Sequence, residues 1–197
     1  MARPSPLYLA LGLFSWLPVR LLFRLRATGL EHVPREGGFV LAANHTSNFD
    51  PWPLGLPLFP RRWLRFMAKS ELYWWPLKHL LNGGGAFPVR RGEGDTEAIA
   101  KAVELCRAGE VVVMFPEGTR RKKGLRKKWQ ARPHTGAARI ARDAGVPLVP
   151  AAVKGTERLA RLGPVRVAYG PPVEPSEDAH ETTERLMREI ERLHATL

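Results

Sequence analysis

The sequence predicts an α/β protein built on a single layer of mostly parallel sheet flanked by helices. Two observations carry that expectation. From about Thr28 onward, short apolar runs alternate with stretches of helical periodicity, the pattern of repeated strand–helix–strand units. The central runs, residues 39–43 and 111–115, are apolar at every position, as strands covered on both faces must be. At 197 residues the chain suits one domain, and a chain of this length buries roughly 70% of its unfolded surface.

The elements follow in order. Residues 7–19 are apolar, bounded by Arg3 and by Arg20, Arg24 and Arg26. A spanning helix needs about 20 apolar residues, so this run is too short to cross a bilayer. No small-residue cleavage site follows it, which argues against a signal peptide. Leu7, Leu11 and Phe14 recur at helical spacing, and Trp16 suits a membrane interface. Residues 1–27 therefore read as an amphipathic helical membrane anchor lying in one leaflet, with Pro18 kinking the helix. A helix packed on the protein's own core is the other reading of the same run.

Residues 28–197 form the remaining domain. Residues 39–43 read as a buried strand and 63–68 as a weaker one. A helix over 70–81 ends at Gly83-Gly84-Gly85. Residues 87–89 are strand-like. Asp95 or Thr96 caps a helix running to Arg107, stopped by Gly109. Residues 111–115 are the clearest strand, being β-branched and apolar. A helix over 135–144, strands over 148–153 and 165–169, and a closing helix over 176–197 complete the pattern. That last helix places Leu186, Ile190 and Leu193 on one face.

The formal net charge is +12, which calls for an anionic partner: lipid, nucleic acid or a phosphorylated substrate. A nucleic-acid module would gather its basic residues and stacking aromatics on one face. Here they are scattered apart from the amino terminus and residues 120–132, which hold eight Lys or Arg and no acid. That loop, with Trp129 inside it, suits lipid head groups or cofactor phosphates, and equally a solvated loop. The single cysteine, Cys106, excludes an intrachain disulfide and reads as a core residue. No second histidine stands at ligand spacing from His45, so a metal site is not expected.

Four segments carry candidate chemistry. Asn44-His45-Thr46-Ser47-Asn48-Phe49-Asp50 directly follows a buried strand, the edge at which α/β sheets bind ligands. A histidine there suits proton transfer, and a nearby carboxylate stabilises its charged form. Taken alone, Asp50-Pro51 equally suits a helix N-cap and His45 a turn. Phe115-Pro116-Glu117-Gly118-Thr119-Arg120 follows another strand and offers glycine, a hydroxyl and a guanidinium to an anion. Gly85 to Arg91 and Val146 to Pro150 are the other two.

In this order and spacing the four segments resemble the glycerolipid acyltransferase family, over residues 29–155. The resemblance implies the fold of the glycerol-3-phosphate acyltransferases. It also implies transfer of a fatty acyl group from acyl-CoA or acyl carrier protein to the sn-2 hydroxyl of 1-acyl-glycerol-3-phosphate, giving phosphatidic acid. The alternative acceptors are glycerol-3-phosphate or another lysolipid. His45 would be the general base, and Asp50 would orient it. Arg91, chosen over Arg90 by its spacing from Gly85, would bind the acceptor phosphate with Glu117, Gly118, Thr119 and Arg120. Glu117 would serve by fixing Arg120 or a backbone donor, since like charges repel. Phe87 and Pro150 would shape the acyl or acceptor pocket. No cofactor or metal is implied; the acyl thioester is a co-substrate. The partners implied are lipid substrates, an anionic membrane surface and acyl carrier protein, with no nucleic acid. The place of work is the cytoplasmic face of the cell membrane, peripheral or monotopic.

Overall fold

The β-branched runs pair edge to edge in the computed structural model, which describes residues 4–89, 96–118 and 133–197. Along the chain the elements are α1 (Pro6–Leu22), β1 (Arg26–Thr28), β2 (Phe39–Ala43), α2 (Pro51–Gly55) and β3 (Leu64–Lys69). Then come α3 (Leu77–Gly83), β4 (Ala86–Val89), α4 (Thr96–Arg107), β5 (Val111–Met114) and α5 (Gly136–Ala144). β6 (Leu148–Lys154), β7 (Arg166–Tyr169) and α6 (Ala179–Thr196) complete it.

Among the described residues, seven strands form one sheet in the order β1-β7-β6-β2-β5-β3-β4. β4, β3, β5, β2 and β6 run parallel, while β7 pairs antiparallel with β6 and parallel with β1. The mostly parallel layer expected from the sequence is therefore present. β2 sits centrally, and all five of its residues are buried. Strand alternation divides the core in two. Leu41, Val113, Val149 and Ala151 face one side, with Leu54 and Leu58 from α2 and the turn after it. Val40, Ala42, Val112 and Leu148 face α4, α5 and α6 on the other.

Three elements differ from expectation. The helix expected over 70–81 is a short 3-10 turn, Ser70–Leu72, followed by α3 from Leu77 onward. Pro76 between them has no N–H for a helical ladder and disfavours helical backbone at Trp75. β1 is only three residues and half exposed, too short for a hydrophobic period to mark it. α1 runs unbroken past Pro18 to Leu22.

α1 is apolar on both faces rather than amphipathic. Its inner face packs on the body. Gly12 lies so close to the Phe59 ring that a Cβ would overlap it, Leu7 sits on Gly83, and Ser5 Oγ donates to the Gly83 carbonyl at 2.6 Å. Its outer face leaves Leu13 (73% exposed), Phe14 (84%), Leu17 and Leu21 uncovered. No described helix is long and apolar enough to cross a membrane.

Candidate active site

β2 and β5 are adjacent and parallel, so the segments that leave their carboxyl ends emerge side by side. From β2 come Asn44, His45 and the turn to Asp50; from β5 come Phe115 to Gly118. Asn44 is buried and closes the strand end. Its side-chain amide donates to the Val153 carbonyl at 2.9 Å and accepts from the Val153 N–H at 2.8 Å. This bidentate pair does the work of a sheet ladder and ties the end of β2 to the end of β6.

His45 stacks on Phe115, with ring centroids 4.1 Å apart and planes 19° from parallel. Phe115 packs against the Leu41 side of the core, so the imidazole stands on that face of the sheet. His45 Nδ1 lies 2.8 Å from Asp50 Oδ2, and the Asp50 side chain is fully buried.

The same Oδ2 accepts the backbone N–H groups of Thr46 at 2.7 Å and Ser47 at 2.8 Å. Oδ1 accepts the Thr156 hydroxyl at 2.5 Å and, more distantly, the Thr46 hydroxyl at 3.4 Å. Burial by itself works to raise the Asp50 pKa. The hydrogen bond from His45, then those from Ser47, Thr156 and Thr46, outweigh it and hold the carboxyl below its ordinary value. Asp50 is therefore ionised near neutrality and purely an acceptor, so His45 Nδ1 carries the hydrogen. That leaves Nε2 of the neutral ring with a free lone pair. Asp50 occupies the N-cap position of α2, with Pro51 in its first turn, but makes no side-chain cap bond; its oxygens accept instead from His45, Thr46, Ser47 and Thr156.

The chain around this pair is itself held. Phe49, between His45 and Asp50, lies 5.6 Å from Phe23 just beyond α1 and 6.4 Å from Trp52, centroid to centroid. The end of α1 thus rests on the loop that carries the pair.

Glu117 and Gly118 lie on the turn after β5, at the same sheet edge as His45. Gly118 has φ +66°, and a Cβ there would overlap the His134 ring. The His134 N–H donates to the Pro116 carbonyl at 2.8 Å, pinning this turn to the segment that leads into α5. Arg91, Thr119, Arg120 and the basic loop lie outside the described residues.

Phe87 and Pro150 are not brought to His45. Phe87 is buried with Val40, Ala98 and Ala102 on the opposite face. Pro150 pairs with Ala42 and lies beside Gly170 and Leu193 of α6. Strand parity decides this: Val149 and Ala151, its neighbours, are the residues that share the face of His45. Thr46, Thr156 and Phe115 are partners that sequence reasoning missed as such. Thr156 is 106 residues from Asp50, with no local pattern to announce it.

Known proteins share this frame. A family model described as Acyltransferase matches residues 24–154. A 1-acyl-sn-glycerol-3-phosphate acyltransferase of Bacillus subtilis is 33% identical over 171 residues, covering 83% of this chain and 81% of that one. A chloroplastic enzyme of the same name from Arabidopsis thaliana is 26% identical over 155 residues, 77% of this chain and 42% of the relative. The crystal structure of the 1-acyl-sn-glycerophosphate (LPA) acyltransferase PlsC of Thermotoga maritima superposes with a TM-score of 0.69. It is 26% identical, covering 94% of this chain and 78% of that chain.

Proposed function

As a member of the acyltransferase family this chain is an acyltransferase, and we propose that it acylates the sn-2 hydroxyl of 1-acyl-glycerol-3-phosphate to form phosphatidic acid for phospholipid synthesis. The donor is an acyl thioester, acyl-CoA or acyl carrier protein. One observation carries the mechanism: an imidazole 2.8 Å from a buried, fully hydrogen-bonded carboxylate at the carboxyl end of the central strand.

His45 Nε2 takes the proton of the acceptor hydroxyl as that oxygen attacks the thioester carbonyl. The C–O bond forms, the tetrahedral intermediate collapses, and the C–S bond breaks. The departing thiolate takes the proton back from the imidazolium, so thioester and alcohol become ester and thiol with the enzyme unchanged. Asp50 balances the imidazolium charge and fixes the ring. A base so placed contributes typically 10²–10⁴ in rate. Gly118, with Thr119, Arg120 and Arg91, is assigned to the acceptor phosphate, and Glu117 to fixing the donors around it. The turn after β5 stands beside the His45 turn, which supports that assignment.

Residues 1–27 are assigned to membrane attachment on the cytoplasmic face, and residues 28–197 to the acyltransferase domain. An apolar helix face left in water is costly, and among the described residues one face of α1 is covered by protein while the other stays exposed. The Arg20 guanidinium lies 5.0 Å over the Trp16 ring, a pairing suited to the phosphate level of a leaflet.

Thiol release from acyl-CoA with lysophosphatidic acid in detergent, the lipid product identified by mass, tests the reaction. Wild type is expected to form phosphatidic acid and His45→Ala to lose at least a hundredfold in kcat. Equal rates would sink the mechanism, and preference for glycerol-3-phosphate or another lysolipid would reassign the acceptor. Vesicle sedimentation tests the anchor. Gln at Leu13, Phe14 and Leu17 together should leave the protein in the supernatant, and unchanged partitioning would remove that role.

A further inference from the structure

Among the described residues, Thr156 is the only partner of the Asp50 carboxylate from outside residues 45–50. We propose that its hydroxyl is a positioning group for proton transfer at His45, an inference that rests on the His45–Asp50 reading above. The two carboxylate oxygens are divided between jobs. Oδ2 takes His45 Nδ1 and the N–H groups of Thr46 and Ser47. Oδ1 takes Thr156 at 2.5 Å, within the short range of hydrogen bonds to an anion, and otherwise only the 3.4 Å contact from Thr46.

Thr156 is 2% exposed, and its single hydroxyl hydrogen is committed to Asp50. The single Thr46 hydroxyl hydrogen is therefore shared between the Thr156 oxygen at 2.9 Å and, more weakly, Asp50 Oδ1 at 3.4 Å. The result is a short relay from Thr46 to Thr156 to Asp50. Remove the Thr156 hydroxyl and Oδ1 becomes a buried anionic oxygen with one long contact. The carboxylate then turns about its Cβ–Cγ bond to recover a donor, and the turn carries Oδ2 away from Nδ1. The imidazole loses the restraint that aims Nε2.

The fold delivers Thr156 to this position. The Asn44–Val153 pair anchors the end of β6 beside the end of β2. Two residues later Gly155, at φ +97°, turns the chain where a Cβ would overlap the Pro164 carbonyl oxygen. Thr156 follows at once, with its hydroxyl in reach of Asp50 Oδ1.

The test separates hydroxyl from bulk. Thr156→Val keeps the shape and removes the donor; Thr156→Ser keeps the donor and removes a methyl. Both are assayed with acyl-CoA and lysophosphatidic acid beside wild type and His45→Ala, with kcat normalised to folded protein and thermal unfolding recorded. Thr156→Val is expected to lower kcat about tenfold with KM for both substrates unchanged. Thr156→Ser should recover most of the turnover while unfolding at a lower temperature than wild type. If Thr156→Val does not fold, Thr156→Ala takes its place against Thr156→Ser.

The proposal is overturned by a Val variant with wild-type kcat, by a Ser variant as impaired as Val, or by a loss confined to KM. A His45→Ala variant as active as wild type would instead remove the reading beneath it, and the proposal with it.

Discussion

Replacing Asp50 by Asn exchanges one heavy atom of the site and removes its negative charge. Oδ2 faces three donors, from His45, Thr46 and Ser47, whereas Oδ1 faces chiefly the Thr156 hydroxyl. The amide must therefore turn its carbonyl to the three donors and its NH₂ to Thr156, whose hydroxyl can rotate to accept. The geometry survives and the charge does not. Hydrogen bonds to a charged group contribute about 1 kcal/mol more than neutral ones, so three weakened bonds cost roughly 2–3 kcal/mol of folding stability. For catalysis the lost quantity is the attraction between carboxylate and imidazolium. Two unit charges about 4 Å apart in an effective dielectric near 20 interact by about 4 kcal/mol, a factor of about 10³ in rate. The assay is thiol release at saturating substrates, with circular dichroism confirming that the variant is folded. A folded Asp50→Asn enzyme within fivefold of wild-type kcat would refute the charge-balancing role, and with it the reason for the carboxylate.

Three further outcomes follow from the same structure. Because the folded Asp50 pKa lies below its ordinary 3.8, the stability it contributes is complete above that pH and is lost as pH falls through the lower folded value. The gap in unfolding free energy between wild type and Asp50→Asn, measured by urea titration, should therefore be widest near neutrality and close on acidification below about pH 4; a gap independent of pH would contradict it. Asn44→Ala leaves the N–H and C=O of buried Val153 without partners and should cost about 2–4 kcal/mol in the same titration, with activity falling because the His45 turn starts there. Burial pushes the Cys106 thiol up to about 12, so a thiol reagent at pH 8 should modify it only in denaturant, and rapid labelling of the native protein would show that this part of the core opens.

Much of the frame was legible because its signals are local. An all-apolar pentapeptide such as Phe39–Ala43 has few fates other than a central strand, and its burial at every position bears this out. α4 ends at Arg107 ahead of Gly109, and α6 buries Leu186, Ile190 and Leu193 on one face, as their spacing predicts. The segment from Ser70 to Leu81 misled because its composition suits a helix while Pro76 blocks one. For α1 the sequence left open an anchor and a helix packed on the core, and nothing local announced that Leu7 and Gly12 would be covered by Gly83 and Phe59 while Phe14 stayed outward.

The site divides along the same line. His45 and Asp50 are five positions apart, so the sequence by itself determined that they share one turn after one strand. The four segments in their order likewise carried the resemblance to the family, which the match over residues 24–154 bears out. Tertiary structure alone decided which face of the sheet that turn would occupy, because strand parity has meaning only once neighbours are in register. Register sent Phe87 and Pro150 to the helix-covered side and stacked Phe115 on the imidazole. It also brought Thr156 across 106 residues to the carboxylate, since a hydrogen bond between distant segments is written in how strands pair and not in any stretch of sequence.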